Sequence, residues 1–205
     1  MLKLYYSPGA CAMASHFALE EAGVEYELVK IDLRKGEQRT PEYLAINPAG
    51  VTPALATDQG VLTENLVIMT HVARASPDAG LTPEEPGFDF DRMQSFSGFL
   101  GASLHPAIGA VLFGKPPLEG EARAAALEKA LGKYDVVEQH LLRGPWAMGD
   151  QYTVADGYLS VFTRWLRQAD LLDKDRYPKL NAHLNLVQAR PAVVRALHME
   201  GLEPV

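Results

Sequence analysis

The hydrophobic pattern changes character at Ser76, and this change limits the fold more than any other feature of the 205-residue chain. Before it, strand-like and helix-like patterns alternate. After it, the apolar repeats step by three or four. Between them, residues 77–87 hold Pro77, Pro83 and Pro86 with Gly80 and Gly87, the composition of a linker. The chain therefore reads as an α/β N-terminal domain over residues 1–78, a linker over 79–87 and an all-α C-terminal domain over 88–205.

In the first part, residues 2–6 alternate apolar and polar like a strand, and Ser7-Pro8-Gly9 breaks it. Cys11 to Glu21 reads as a helix, with Gly23 in the place of a C-cap. Tyr26 to Val29 with Ile31 form a second strand pattern, and residues 32–40 a charged loop. Pro41 opens a short helix, and Asn47-Pro48-Ala49-Gly50 is a turn. Two short strands flank Asp58-Gln59-Gly60, and Glu64 to Ala75 is helical, giving the order β-α-β-α-β-β-α. In the second part, Leu127, Leu131, Tyr134, Val137 and Leu141 share one helix face. Val154, Tyr158, Val161, Phe162, Trp165 and Leu166 share another, after a Thr153/Asp156 capping-box spacing. Two closing helices follow from His183 and from Pro191.

A net charge of −7 argues against nucleic acid as a partner, because phosphate binding needs clustered Lys and Arg. No uninterrupted apolar run reaches the length of a membrane span, and Pro8-Gly9 comes too soon for a signal peptide. The expectation is a cytoplasmic protein with no membrane partner. One cysteine, Cys11, excludes an internal disulfide and a Cys-rich metal site.

Four places can carry chemistry. Cys11 stands at a strand-to-helix junction, where unpaired backbone N–H groups can stabilise a thiolate, its own or a ligand's. The partner of a Cys-x-x-Cys redox pair is absent, because Ala14 occupies the position. Pro53 opens a strand, so it lies at an edge, a turn or a cis bond; if cis, Thr52 turns its backbone outward, able to pair with an extended peptide. Thr63 can cap the helix that begins at Glu64-Asn65, whose start is an anion site. His105 lies in an apolar stretch from Phe96 to Phe113, beside a Pro106 expected to kink the helix.

Taken in order, these pieces resemble the glutathione transferases, in particular the bacterial beta class. The resemblance runs through Tyr6-x-Pro8-Gly9-Ala10-Cys11, Ala14-Ser15-His16, Asn47-Pro48-x-Gly50-x-x-Pro53-Ala54-Leu55, Thr63-Glu64, Leu104-His105 and Thr153-Val154-Ala155-Asp156, over nearly the whole chain. It implies a thioredoxin-like N-terminal domain, an all-helical bundle, a homodimer, and glutathione as co-substrate with no metal. It assigns Cys11 and His105 to the sulfur, with Ser103 approaching beside His105. Thr52, before a cis Pro53, would pair with the cysteinyl unit, and Glu64 and Asn65 would hold the γ-glutamyl end. Lys35 would reach the glycyl carboxylate, with Arg34 as a rival. Three positions depart from the family pattern: Asn65 for Ser or Gly, Thr52 for Val, and Gly98 for an Asn that reaches the neighbouring subunit's ligand. Tyr6, which resembles the catalytic Tyr of other classes, reads as structural.

A free thiol is only about 3% thiolate at pH 7, so lowering its pKa can gain roughly 30-fold and no more. Further acceleration must come from holding a small apolar electrophile beside the sulfur. Leu104, Ile108, Phe113 and Trp165 are the expected apolar lining of that electrophile site. Three activities fit: conjugation of glutathione, one-cysteine thiol-disulfide exchange through Cys11, or ligand binding without turnover.

Overall fold

A computed structural model describes all 205 residues. The first part folds in the expected order. It contains β1 (Leu2–Tyr6), α1 (Met13–Ala22), β2 (Tyr26–Lys30), α2 (Pro41–Leu44), β3 (Ala54–Thr57), β4 (Gly60–Thr63) and α3 (Asn65–Ala75). The strands lie in the order β2-β1-β3-β4. β1 pairs parallel with β2, which requires a crossover, and α1 supplies it. β3 runs antiparallel to β1 and forms a hairpin with β4. In β1, Leu4 and Tyr6 point into the core while their neighbours are half-buried, the period-2 signature seen in the sequence. α1 ends at Gly23, which takes the left-handed conformation at φ 65°.

Several boundaries differ from expectation, and the first of the two closing helices starts at Pro178 rather than His183. α1 begins at Met13 rather than Cys11, because residues 10–12 form tight turns: the Ala10 carbonyl accepts from Met13 N–H and the Cys11 carbonyl from Ala14 N–H, each at 3.1 Å. The residue leading into α3 is Glu64, not Thr63. The last helix, α9 (Pro191–Met199), belongs with the first part, so the compact units are Met1–Thr82 with Gln188–Pro204, and Pro83–Val187. α9 buries Ala192, Val193, Ala196 and Leu197, and one forked and one single arginine contact tie it to α1. Arg190 donates to both carboxylate oxygens of Glu21, and Arg195 donates to Glu20 at 2.8 Å.

The second unit is helical: α4 (Phe88–Phe99), α5 (His105–Phe113), α6 (Gly120–Val136), α7 (Val154–Gln168) and α8 (Pro178–Gln188). α4 and α5 join through a π-helical turn, Leu100–Leu104. Pro106 has no N–H for an ordinary helical bond, and the chain answers with a wider turn in which His105 N–H donates to the Leu100 carbonyl. The resulting run Phe88–Phe113 is 26 residues, long and apolar enough to cross a membrane by length and composition, contrary to expectation. The charges at its start and His105-Pro106 within it hid that length in the sequence. It buries a stripe through Phe90, Met93, Phe96, Leu100, Leu104 and Ile108, as a core helix does.

α7 is the central element, buried from Val154 to Leu166. Its first turn carries the expected capping box, in which the Asp156 carboxylate accepts from Thr153 N–H at 2.7 Å and Thr153 Oγ1 at 3.1 Å. The same carboxylate accepts from Ala147 N–H at 2.6 Å and meets His183 Nε2 at 2.9 Å. A second buried carboxylate, Glu138, accepts from the N–H groups of Lys179 and Leu180 at the start of α8, both at 2.9 Å. Asp156→Ala would strand several buried donors at once and is expected to lower unfolding free energy by about 3 kcal/mol with the denaturant slope unchanged. Urea unfolding of the variant checks this.

Candidate functional site

The loop before β3 is built first. Asn47 Oδ1 accepts from Ala49 N–H at 3.1 Å, closing the predicted turn. Asn47 Nδ2 and the Tyr43 hydroxyl both donate to the Val51 carbonyl at 2.7 Å. Gly50 sits at φ 63°, in the left-handed region that strains other residues, and a Cβ there would also press the Gln38 carbonyl at 3.0 Å. This frame delivers a cis Thr52–Pro53 bond. Thr52 lies outside the β1–β3 ladder, which begins at Ala54.

Cys11 faces this segment. Its thiol donates to the Thr52 carbonyl at 3.7 Å. The Asn65 side chain and the backbone N–H groups of Cys11 and Ala12 favour the charged form of the sulfur. Cys11 is half-buried. Loss of water around the sulfur pushes its pKa up to about 11, overriding those donors, and the nearby Glu64 carboxylate pushes it the same way. Of the two thiolates that the strand-to-helix turn could stabilise, this burial disfavours its own. Cys11 is a neutral hydrogen-bond donor at pH 7, because burial outweighs the helix end.

The start of α3 completes the cluster. Glu64 precedes it at φ 68° and ψ 122°, a conformation that costs a non-glycine residue on the order of 1 kcal/mol or more. No side chain caps this helix, so its first N–H groups stay open to an anion. Asn65 is buried, with Oδ1 accepting from the Ser15 hydroxyl at 2.7 Å. Its amide oxygen is therefore engaged by Ser15. Lys35 is exposed in the turn after β2, 3.8 Å from Asp32.

In the helical unit, His105 packs its ring against Phe162 and Trp165, with centroids 5.2 and 5.4 Å apart. Burial lowers its pKa, so the imidazole is neutral at pH 7. Phe113 lies edge-on to Trp165 at 5.0 Å and is exposed. Three expectations are corrected here. Leu104 and Ile108 have no exposed surface and form core, so neither can line an electrophile site. Ser103 lies in a groove with Pro106, Ala126 and Lys129, on the α6 side, whereas His105 faces α7. Residues two apart on a helix point in different directions. Trp165 keeps only 5% of its surface, which leaves Phe113 as the open aromatic of the predicted four.

Sequence reasoning missed the Ser15 hydroxyl and the Tyr43 hydroxyl as parts of this frame. Ser15 stood inside a quoted motif, but nothing local marked either as a contact.

A mixed sheet with a cysteine after its first strand, a cis-proline strand beside it, and a following helical domain define the thioredoxin-like class with an appended bundle. Residues 1–74 match the family model for the glutathione S-transferase N-terminal domain, and residues 120–185 that for its C-terminal domain. The chain is 33% identical to glutathione S-transferase GstA of Escherichia coli O157:H7, covering 98% of this chain and 100% of that one. A sphingomonad glutathione S-transferase solved with glutathione superposes with a TM-score of 0.87 at 38% identity, covering 98% and 99% of the two chains. A bacterial beta-class enzyme from Sphingomonas chungbukensis does so with 0.87 at 36% identity, covering 98% and 99%. The chain belongs to the glutathione S-transferase family.

Alkylation of the single cysteine is expected to accelerate about tenfold per pH unit from pH 7 to 10 without a plateau. A plateau near neutrality in a pH–rate profile with iodoacetamide would contradict the neutral thiol.

Proposed function

We propose that this glutathione transferase conjugates reduced glutathione to small apolar, preferably aromatic, electrophiles, with the tripeptide's own sulfur as nucleophile. The observation that carries the choice is the raised pKa of Cys11, whose thiol donates to the Thr52 carbonyl. A group that is overwhelmingly protonated at pH 7 is a poor attacking thiol for disulfide exchange. It is, however, a ready donor to a second sulfur. In this reading the extended glutathione pairs with the backbone of Thr52, beside Pro53, like one rung of an added strand. The carbonyl then passes from Cys11 to the peptide N–H, and the Cys11 S–H is released toward the glutathione sulfur. One carboxylate of the ligand lies at the open start of α3, Glu64 holds the ammonium group, and Lys35 or Arg34 reaches the glycyl carboxylate.

The chemistry needs no cofactor beyond the co-substrate. The glutathione S–H bond ionises, and donors at Cys11 stabilise the thiolate. The sulfur's electron pair forms a bond to the electrophilic carbon, and the leaving group departs with its bonding pair. His105, neutral and stacked on aromatic rings, is the helical domain's contribution to the sulfur by resemblance, and its imidazole is in the right state to take the proton. Phe113, with the edge of Trp165, is the aromatic surface proposed to receive the electrophile. A homodimer in the cytoplasm completes the reading.

The test is turnover of glutathione with an aromatic halide by the wild type and by Cys11→Ala. The wild type is expected to conjugate, and the variant to retain activity within about tenfold, the worth of one hydrogen bond to a charged sulfur. Loss of all activity in a folded Cys11→Ala protein would show that Cys11 itself is the covalent nucleophile.

A further inference from the structure

The proposed chemistry leaves one buried acid unused. Glu200 directly follows α9, and its side chain has no exposed surface. One of its oxygens accepts from Gly9 N–H at 2.9 Å, just before Cys11. The other meets Nδ1 of His16 at 2.9 Å, in the helix just after Cys11, and the His16 side chain is equally buried. The carboxylate therefore bridges the turn that leads into the cysteine and the helix that leads out of it. Around Cys11 the chain is closed by short-range bonds. Ala10 N–H donates to the Ser7 carbonyl, Met13 N–H to that of Ala10 and Ala14 N–H to that of Cys11, each at 3.1 Å. His16 is fixed from its far side as well, with Nε2 lying 2.8 Å from the Tyr26 hydroxyl on β2.

We infer that Glu200 and His16 are positioning residues for Cys11: the carboxylate clamps the chain on both sides of the cysteine and so sets where its sulfur lies against the Thr52 carbonyl. Their part in conjugation rests on the reading of Cys11 as a member of the glutathione site. A tie between α9 and α1 does not by itself require a buried charge. Ala192, Val193, Ala196 and Leu197 already bury an apolar face of α9, and the Arg190–Glu21 fork ties its start. Apolar contact is non-directional, and a buried carboxylate is strongly unfavourable once a partner is lost. What the carboxylate adds is direction, because it accepts along defined lines from one backbone N–H and one ring nitrogen. With the clamp closed, the Cys11 thiol keeps its 3.7 Å contact to the Thr52 carbonyl and water is held away from the sulfur. With it open, water reaches the sulfur and the thiol ionises more easily.

Because Cys11 is the single cysteine, alkylation by iodoacetamide reports on it alone. Its pH–rate profile is to be compared for the full-length wild type, Glu200→Ala, Glu200→Asp, His16→Phe and Arg190→Gln, with circular dichroism and melting temperature as the check of folding. Glu200→Asp keeps the charge but is one methylene shorter, so it cannot span both partners, and it carries the test if Glu200→Ala does not fold. Both Glu200 variants are expected to alkylate at least about fivefold faster at pH 8, with the rise of the profile moved to lower pH. His16→Phe keeps a ring without a donor and is expected to move the rate the same way by a smaller factor. Arg190→Gln loosens the same helix without touching Gly9. It is expected to lower the melting temperature and to leave the alkylation rate within about twofold of wild type. An unchanged rate in a folded Glu200→Asp protein overturns the inference. So does an Arg190→Gln rate raised as far as that of Glu200→Asp, since any loosening of α9 would then suffice. An unchanged rate in His16→Phe overturns the part given to His16. Conjugation to an aromatic halide tests the link to glutathione separately. The Cys11→Ala/Glu200→Asp double variant is expected to match Cys11→Ala in kcat/KM, because Glu200 acts through Cys11. A further loss in the double variant contradicts that route. No turnover by the wild type would sink the glutathione reading and leave the alkylation comparison standing.

Discussion

A buried carboxylate near the end of the chain holds the loop that presents Cys11. Glu200 follows α9, and one of its oxygens accepts from Gly9 N–H at 2.9 Å while the other meets His16 Nδ1 at 2.9 Å. The carboxylate and the imidazole have no exposed side-chain surface. A charge in such a place is tolerated only when its oxygens are engaged, and removing one partner leaves the other stranded. The His16 ring continues through its second nitrogen to the Tyr26 hydroxyl at 2.8 Å, which donates to Glu20. Glu20 in turn accepts from Arg195 on α9. The turn at Gly9, in the left-handed region at φ 72°, is thereby locked from below by a helix that lies at the other end of the sequence.

That lock has a chemical consequence. With Gly9 fixed and α1 starting only at Met13, Cys11 sits in a tight turn whose N–H groups favour a charged sulfur. The turn is not open water, and desolvation opposes the donors and wins. In the proposed function, a cysteine kept neutral serves a second sulfur rather than attacking through its own thiolate. The uncapped start of α3 and the segment before β3, outside the ladder, are the complementary features, because one offers an anion site and the other a Thr52 carbonyl held only by the Cys11 thiol.

The fold was legible where periodicity was strong and local. The alternation in β1, the C-cap at Gly23, the α7 face and its Thr153/Asp156 box all stand as read, because each depends on neighbours within a few residues. The assignment of α9 to the second domain failed because its packing against α1 depends on pairs such as Arg190–Glu21, which sequence spacing does not encode. The candidate site was legible in its residue types and motif spacing, which put forward Cys11, Thr52, Glu64 and Asn65. Their chemistry was less so. The thiol's protonation depends on three-dimensional burial, and Asn65 turned out to face the protein because Ser15 claims its oxygen. Leu104 and Ile108 were misplaced for a simpler reason: an apolar residue near a functional histidine has the same sequence pattern whether it lines a pocket or fills the core.

The claim that glutathione brings the ionised sulfur is tested most directly by the ultraviolet thiolate band at pH 7. The account predicts no such band in the free enzyme, its appearance when glutathione is added, and none when S-methylglutathione is added instead. A thiolate band already present in the free enzyme at that pH, and absent from Cys11→Ser, would contradict it.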